Sequence, residues 1–252
     1  MLKLPNSFQT KYLKDKITSI AETTFNLFDD ASANSFETLK RKYEESKSKR
    51  IELYRKLSIS NEDDQGIPTP QNIEMFKEMM DLLSDEYLSI EHLNALSEMT
   101  VVYLFKSFEI TMKTLIHTAY PKINTKDFYQ WDNMVSYFKS INIKISDFDG
   151  YKEVLELKKV NNMIKHNNTI NNEINEIKDF TGETQFTFKN ISNFNERIKP
   201  KIQNFIKLLG QGIINDLFVF DDSRVEKMSN DFKLRMTKDV LKKFATNLTD
   251  EH

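Results

Sequence analysis

Apolar residues in this chain recur at intervals of three and four over most of its length, the spacing that gives a helix one buried face. Between residues 7 and about 30 they are Tyr12, Leu13, Ile17, Ile20, Ala21, Phe25 and Phe28, and Asp29-Asp30 closes the stripe. From Ser35 to about Leu57 the apolar positions Phe36, Leu39, Tyr43, Ile51, Leu53, Tyr54 and Leu57 flank the charged run Lys40 to Arg50, which predicts a long helix lying largely in water. Ser58 to Pro70 holds Gly66, Pro68 and Pro70 beside Asn61-Glu62-Asp63-Asp64, a loop signature and the main predicted boundary. Thr69 is a candidate N-cap for about fifty helical residues, with a break predicted near Ser84 or Ser89. The most apolar part, Leu96 to Ala119, places Val101, Phe105, Phe108, Met112, Leu115 and Ala119 on one stripe, and Pro121 ends it.

A shorter helix is predicted from Asp127 to Ser140 around Trp131, Val135 and Phe138, and another from Tyr151 to His166. Alternating Thr184, Phe186 and Phe188 after Thr181-Gly182-Glu183 leave room for one small β-hairpin. Helices return over about Asn193 to Leu209 and Arg224 to Asn247. The predicted fold class is therefore all-α: an antiparallel helical bundle over residues 71–218, an N-terminal helical extension over 1–70 and a C-terminal helix over 219–252.

Composition narrows the chemistry. Five Gly and five Pro among 252 residues are too few for a turn-rich β fold. Lys+Arg of 36 against Asp+Glu of 38 argue against a generally basic nucleic-acid binder, while a local basic patch stays open. The absence of Cys removes disulfides, thiolate metal sites and cysteine nucleophiles, and makes a reducing compartment the easier home. With no apolar run near the ~18 residues of a membrane span, the expectation is a cytoplasmic protein with no membrane partner. Calcium-loop registers through Gly66 and Gly150 fail, because Asn72 and Ile145 fall where acidic ligands belong. Gly210-Gln211-Gly212 lacks the Lys and Ser/Thr of a phosphate loop, and His92 and His117 have no partner at metal spacing. No cofactor or metal is expected. Met75, Met79 and Met80 read as packing residues.

The segment Tyr151 to His166 has two dissimilar faces. Val154, Leu157, Val160 and Ile164 form one stripe, and Lys159, Asn162 and His166 with Leu155 form another on the opposite side. The run Glu156-Leu157-Lys158-Lys159-Val160-Asn161-Asn162-Met163-Ile164-Lys165-His166-Asn167 resembles the motif helix of the HEPN superfamily, small helical domains of prokaryotic toxins, CRISPR effectors and anti-phage proteins. The family motif is Arg, a polar residue, and His after four to six residues. His166 matches the His, Asn162 the polar position, and Asn161 stands where the Arg would be. Lys159 is the nearest cation at the wider spacing and Lys165 adjoins the His. Val101 to Lys113 is similar to the family's first core helix, in which Glu109 supplies the polar residue.

The resemblance implies metal-independent RNA cleavage in a toxin or anti-phage setting, with the ribose 2'-hydroxyl attacking the adjacent phosphate. His166 would transfer protons, a role that suits an imidazole because its ordinary pKa is near 6.5. A guanidinium would stabilise the phosphorane through its planar fork; here Lys165 or Lys159 would have to supply the charge, across a homodimer that pairs two such helices. Glu109 would line the RNA site. The implied partners are RNA, a second copy and an antitoxin or other regulatory protein. Two other readings stay open. A catalytically silent HEPN-like scaffold would bind RNA, a nucleotide or a partner protein, and an unrelated helical bundle would serve protein interaction. Lys165-His166 also fits a plain helix end, where cations meet the dipole and Asn167 can take the left-handed cap. Glu109 and Lys113 fit an ordinary i, i+4 ion pair.

Overall fold

A computed structural model describes residues 6–60, 69–123, 128, 130–166 and 169–249. The chain is all-α, with nine helices among the described residues. Helix α1 (Asn6–Ala21) leads through a corner that buries Phe25 into α2 (Leu27–Ser60), which pairs along its length with α3 (Pro70–Ala119). Then follow α4 (Trp131–Ser140), α5 (Tyr151–His166), the single turn α6 (Asn172–Asn175), α7 (Phe188–Phe218), α8 (Asp222–Arg235) and α9 (Lys238–Thr249). The core is built from α1, α7, α5 and the C-terminal half of α3, filled by Phe108, Phe138, Phe180, Phe194 and Phe205, all fully buried.

Several predicted elements change shape, each for a physical reason. Asp29 and Asp30 do not end a helix at residue 30; they sit in the first turn of α2, where carboxylates favour the positive end of the helix dipole. No break occurs at Ser84 or Ser89. Helix α3 runs through both, capped by Thr69, whose hydroxyl accepts from the Asn72 amide at 3.2 Å, and it ends at Ala119 just before Pro121. The N-terminal segment is not wholly an extension. Ile17, Ala21 and Phe25 belong to the core, and Gly210 lets α1 approach α7 so closely that a Cβ there would lie 2.6 Å from that of Ala21. Of the predicted boundary at 58–70, residues 61–68 lie outside the described residues, as do 127 and 129 at the start of the helix predicted from Asp127.

The β-hairpin does not form; no strand is present among the described residues. The Asn175 side chain takes up the backbone instead, accepting from the Gly182 amide at 2.6 Å and donating to the Glu183 carbonyl at 3.1 Å. Phe180 and Phe186 are both buried with ring centroids 5.3 Å apart, and Thr187 opens α7 in a reciprocal cap with Asn190. The predicted helix over 224–247 is two helices separated at Met236-Thr237, closed on each other by Phe232 and Phe244 at 5.1 Å. Neither α8 nor α9 contains a buried residue.

Candidate functional site

Helix α5 is positioned by its apolar stripe and by one buried ionic cluster. Val154, Leu157 and Val160 are fully buried against α3 and α7. On the flank, Arg197 of α7 donates to Glu156 at 2.7 Å and to Asp179 at 2.8 Å, and Lys152 approaches Glu156 at 3.7 Å. The two carboxylates and the burial of the cluster act on the guanidinium in opposite senses: burial lowers its pKa, the hydrogen bonds to Asp179 and Glu156 raise it, and the net direction is upward. Such a pair is costly to break from one side, because the remaining charge stays buried. Sequence reading missed this cluster. The only signal was an acidic residue, Glu156, placed between the buried and solvent faces of α5.

The outer face of α5 lines a groove of about 440 Å3. Leu155, Lys158, Lys159, Asn162, Met163 and His166 come from α5, and Glu173 and Ile174 from α6. The one-turn spacing that put Lys159, Asn162 and His166 on one face therefore gathers them at one opening, with an apolar floor. Lys159 is not a free cation. Its Nζ lies 2.8 Å from Glu173, whose hydrogen bond is the main cause of the raised Lys159 pKa. Lys158, which sequence reading had not singled out, lines both this groove and the neighbouring pocket.

The remaining predicted residues are dispersed. Asn161 does not open to the groove. It is 1% exposed, its amide donates to the Asn162 side chain at 3.3 Å, and its carbonyl oxygen is buried with no hydrogen-bond partner. At 100° per residue it belongs to the buried side of α5, beside Val154 and Leu157. Lys165 points toward α3, with Nζ 6.0 Å from the centre of the Phe105 ring. Glu109 lines a separate pocket of about 50 Å3 with Phe105, Lys113, Phe128, Trp131, Met134 and Lys158. Its carboxylate pairs with Lys113 at 4.0 Å. Glu109 and His166 thus line different cavities. His166 is the last residue of α5 and is exposed, and the cap at Asn167 lies outside the described residues.

Comparison of the chain with protein-family models, with curated proteins and with solved structures finds no match in any of the three. Among the described residues no helix is long and apolar enough to cross a membrane.

Proposed function

We propose that this chain is a HEPN-like protein acting on RNA, a metal-independent endoribonuclease with His166 as its proton-transfer group. What supports the reading is the groove on α5, where an exposed imidazole, the Asn162 amide and the Lys158 ammonium border a cavity in the size range of small-ligand sites. In this scheme His166 takes the proton of the ribose 2'-hydroxyl as it attacks phosphorus, and a proton returned to the leaving 5'-oxygen completes cleavage to a 2',3'-cyclic phosphate. Lys158 supplies the positive charge that the motif's Arg would carry, and Asn162 donates a hydrogen bond to a phosphate oxygen. Asn161 has no part in it, because it is buried. The setting of a toxin or anti-phage system, with an antitoxin or other regulatory protein as partner, follows from the motif alone.

A second reading is favoured by two observations: Asn161 is turned away from the groove and Lys159 is neutralised by Glu173. On that reading the groove binds RNA, a nucleotide or a partner protein without cutting. One experiment separates the two. Wild type, His166→Ala and Lys158→Gln are incubated with tRNA and mRNA in EDTA, and the ends are mapped for 2',3'-cyclic phosphate. Cleavage that falls by about a hundredfold or more in His166→Ala, with helicity unchanged, is the expected result. Equal cleavage by wild type and His166→Ala, or none by folded wild type, replaces catalysis with the binding role.

A further inference from the structure

Helices α2 and α3 form an antiparallel hairpin whose distal half stands clear of the core. Its internal seam has heptad spacing: Phe36, Leu39, Tyr43, Ser46, Arg50, Leu53 and Leu57 on α2 meet Asn72, Met75, Met79, Leu82, Glu86, Ser89 and Leu93 on α3, and these positions are buried or half-buried. Arg50 and Glu86 join the two rows, the guanidinium Nη2 donating at 3.1 Å. The rows one residue before the seam are mostly charged: Lys42, Glu45, Lys49, Glu52 and Lys56 on α2 against Glu74, Glu78, Asp81 and Asp85 on α3, with Lys42 and Asp85 bridged at 3.4 Å and Leu88 the exposed apolar exception.

The rows one residue after the seam are different. On α3 this row is Ile73, Phe76, Met80, Leu83, Tyr87 and Ile90; on α2 it is charged at Glu37, Lys40, Glu44 and Lys47 and turns apolar at Ile51 and Tyr54, toward the distal end of the hairpin. Because the helices are antiparallel, a turn of 100° in the same sense brings both rows to the same side of the hairpin. Ile51, Tyr54, Ile73, Phe76, Met80, Leu83 and Tyr87 are all exposed, Phe76 by 53% and Tyr87 by 64%. The α3 row does not stop there. It continues with unbroken three-four spacing through Asn94, Ser97, Val101, Leu104, Phe108, Thr111 and Leu115, and from Ser97 onward every member is buried in the core. Cover begins where α7 begins, with the Phe188 amide donating to the Asn94 side chain at 2.8 Å. One continuous stripe is thus packed over its C-terminal half and bare for about 21 Å, from Ile73 to Tyr87, over its N-terminal half.

We propose that the bare half is an interface between two copies of this chain, packed hairpin against hairpin as an antiparallel four-helix bundle. The patch is self-complementary about Met80. A two-fold axis there sets Ile73 against Tyr87 of the second copy, Phe76 against Leu83, and Met80 against itself. The antiparallel sense follows from the core, which overhangs the same row of α3; a parallel arrangement would drive the two bodies into one another. Each hairpin then continues the layer that α7 starts, and the charged flank stays in water. The proposal stands independently of the ribonuclease reading, since it uses neither α5 nor the groove.

The test is light-scattering mass on the full chain at about 50 µM, with Phe76→Glu/Leu83→Glu as the variant. A wild-type dimer and a monomeric variant of unchanged helicity is the expected result; a monomeric wild type, or a variant that remains dimeric, overturns the interface. Because the chain has no Cys, single Glu74→Cys and Ala95→Cys variants accept one spin label each. These positions are three heptads apart on the charged flank. The antiparallel arrangement makes the 95-to-95 separation longer than the 74-to-74 separation by about 27 Å from the helical rise, whereas equal separations overturn it.

Discussion

Asn161 stands where a HEPN-type motif carries Arg, and its burial decides what it does. Its carbonyl oxygen has lost water without gaining a donor, so it is an unsatisfied acceptor in the core. Asn161→Leu is expected to raise stability by about 1 kcal/mol and to leave RNA cleavage or binding unchanged, read by denaturant unfolding and the end-mapping assay together. A second residue-scale effect lies between α3 and α4. Burial, and then the Asp216 carboxylate, push the Tyr137 hydroxyl up to about 12. Burial likewise raises Tyr120, whose hydroxyl donates to Asp216 at 2.8 Å. A raised pKa favours the neutral phenol in the folded state, so the contribution is complete below about 10 and is lost as pH climbs through the folded value. The thermal midpoint of wild type should therefore fall more steeply between about pH 10 and 12 than that of Tyr137→Phe, and a phenolate absorbance titration should show the matching late ionisation.

At the scale of elements, the entry to α5 depends on one backbone conformation. Gly150 has φ of 96°, and a Cβ there would lie 2.1 Å from the Lys201 carbonyl oxygen on α7. Side-chain bulk at this point must push α5 off α7, while the other left-handed glycine, Gly182, has no atom within 4 Å of such a Cβ. Gly150→Ala should cost about 1–3 kcal/mol in chemical denaturation. Gly182→Ala should cost less, because it carries the conformational strain without the collision. The same logic explains why α5 is so well placed for its groove: Gly150 fixes where the helix starts, the Arg197 cluster fixes its rotation, and the spacing of its residues does the rest.

Across the whole molecule, stability is unevenly distributed. Helix α7 and the C-terminal half of α3 are buried on several sides, whereas α8 and α9 bury no residue and are tied to the body through Arg224, which donates to the Asn215 and Val219 carbonyls at 3.1 and 2.9 Å and approaches Asp216 at 3.4 Å. Native-state hydrogen exchange should find the weakest helical protection in α9, then α8, and the strongest in α7 and residues 101–116 of α3. Equal protection in α9 and α7 would contradict this ordering.

The sequence by itself determined that the chain is all-α, because low Gly and Pro content and three-four periodicity are local properties that any helix must carry. It fixed the limits of α5 at Tyr151 and His166, the Thr69 cap and the stop before Pro121, and it put Lys159, Asn162 and His166 on one face, since helical phase follows from spacing alone. Only the tertiary structure decided the rest. A stripe does not say what covers it, so the break between α1 and α2, the continuity of α3 past Ser84 and the fold-back at Met236 depended on which partners were in reach. Charge pairing is equally non-local: Lys159 meets Glu173 and Arg197 meets Glu156 and Asp179 through chain separations that no short-range pattern encodes. The bare half of the α3 stripe is the clearest case. Its residues have the same spacing as the buried half, and the difference between them is where α7 begins.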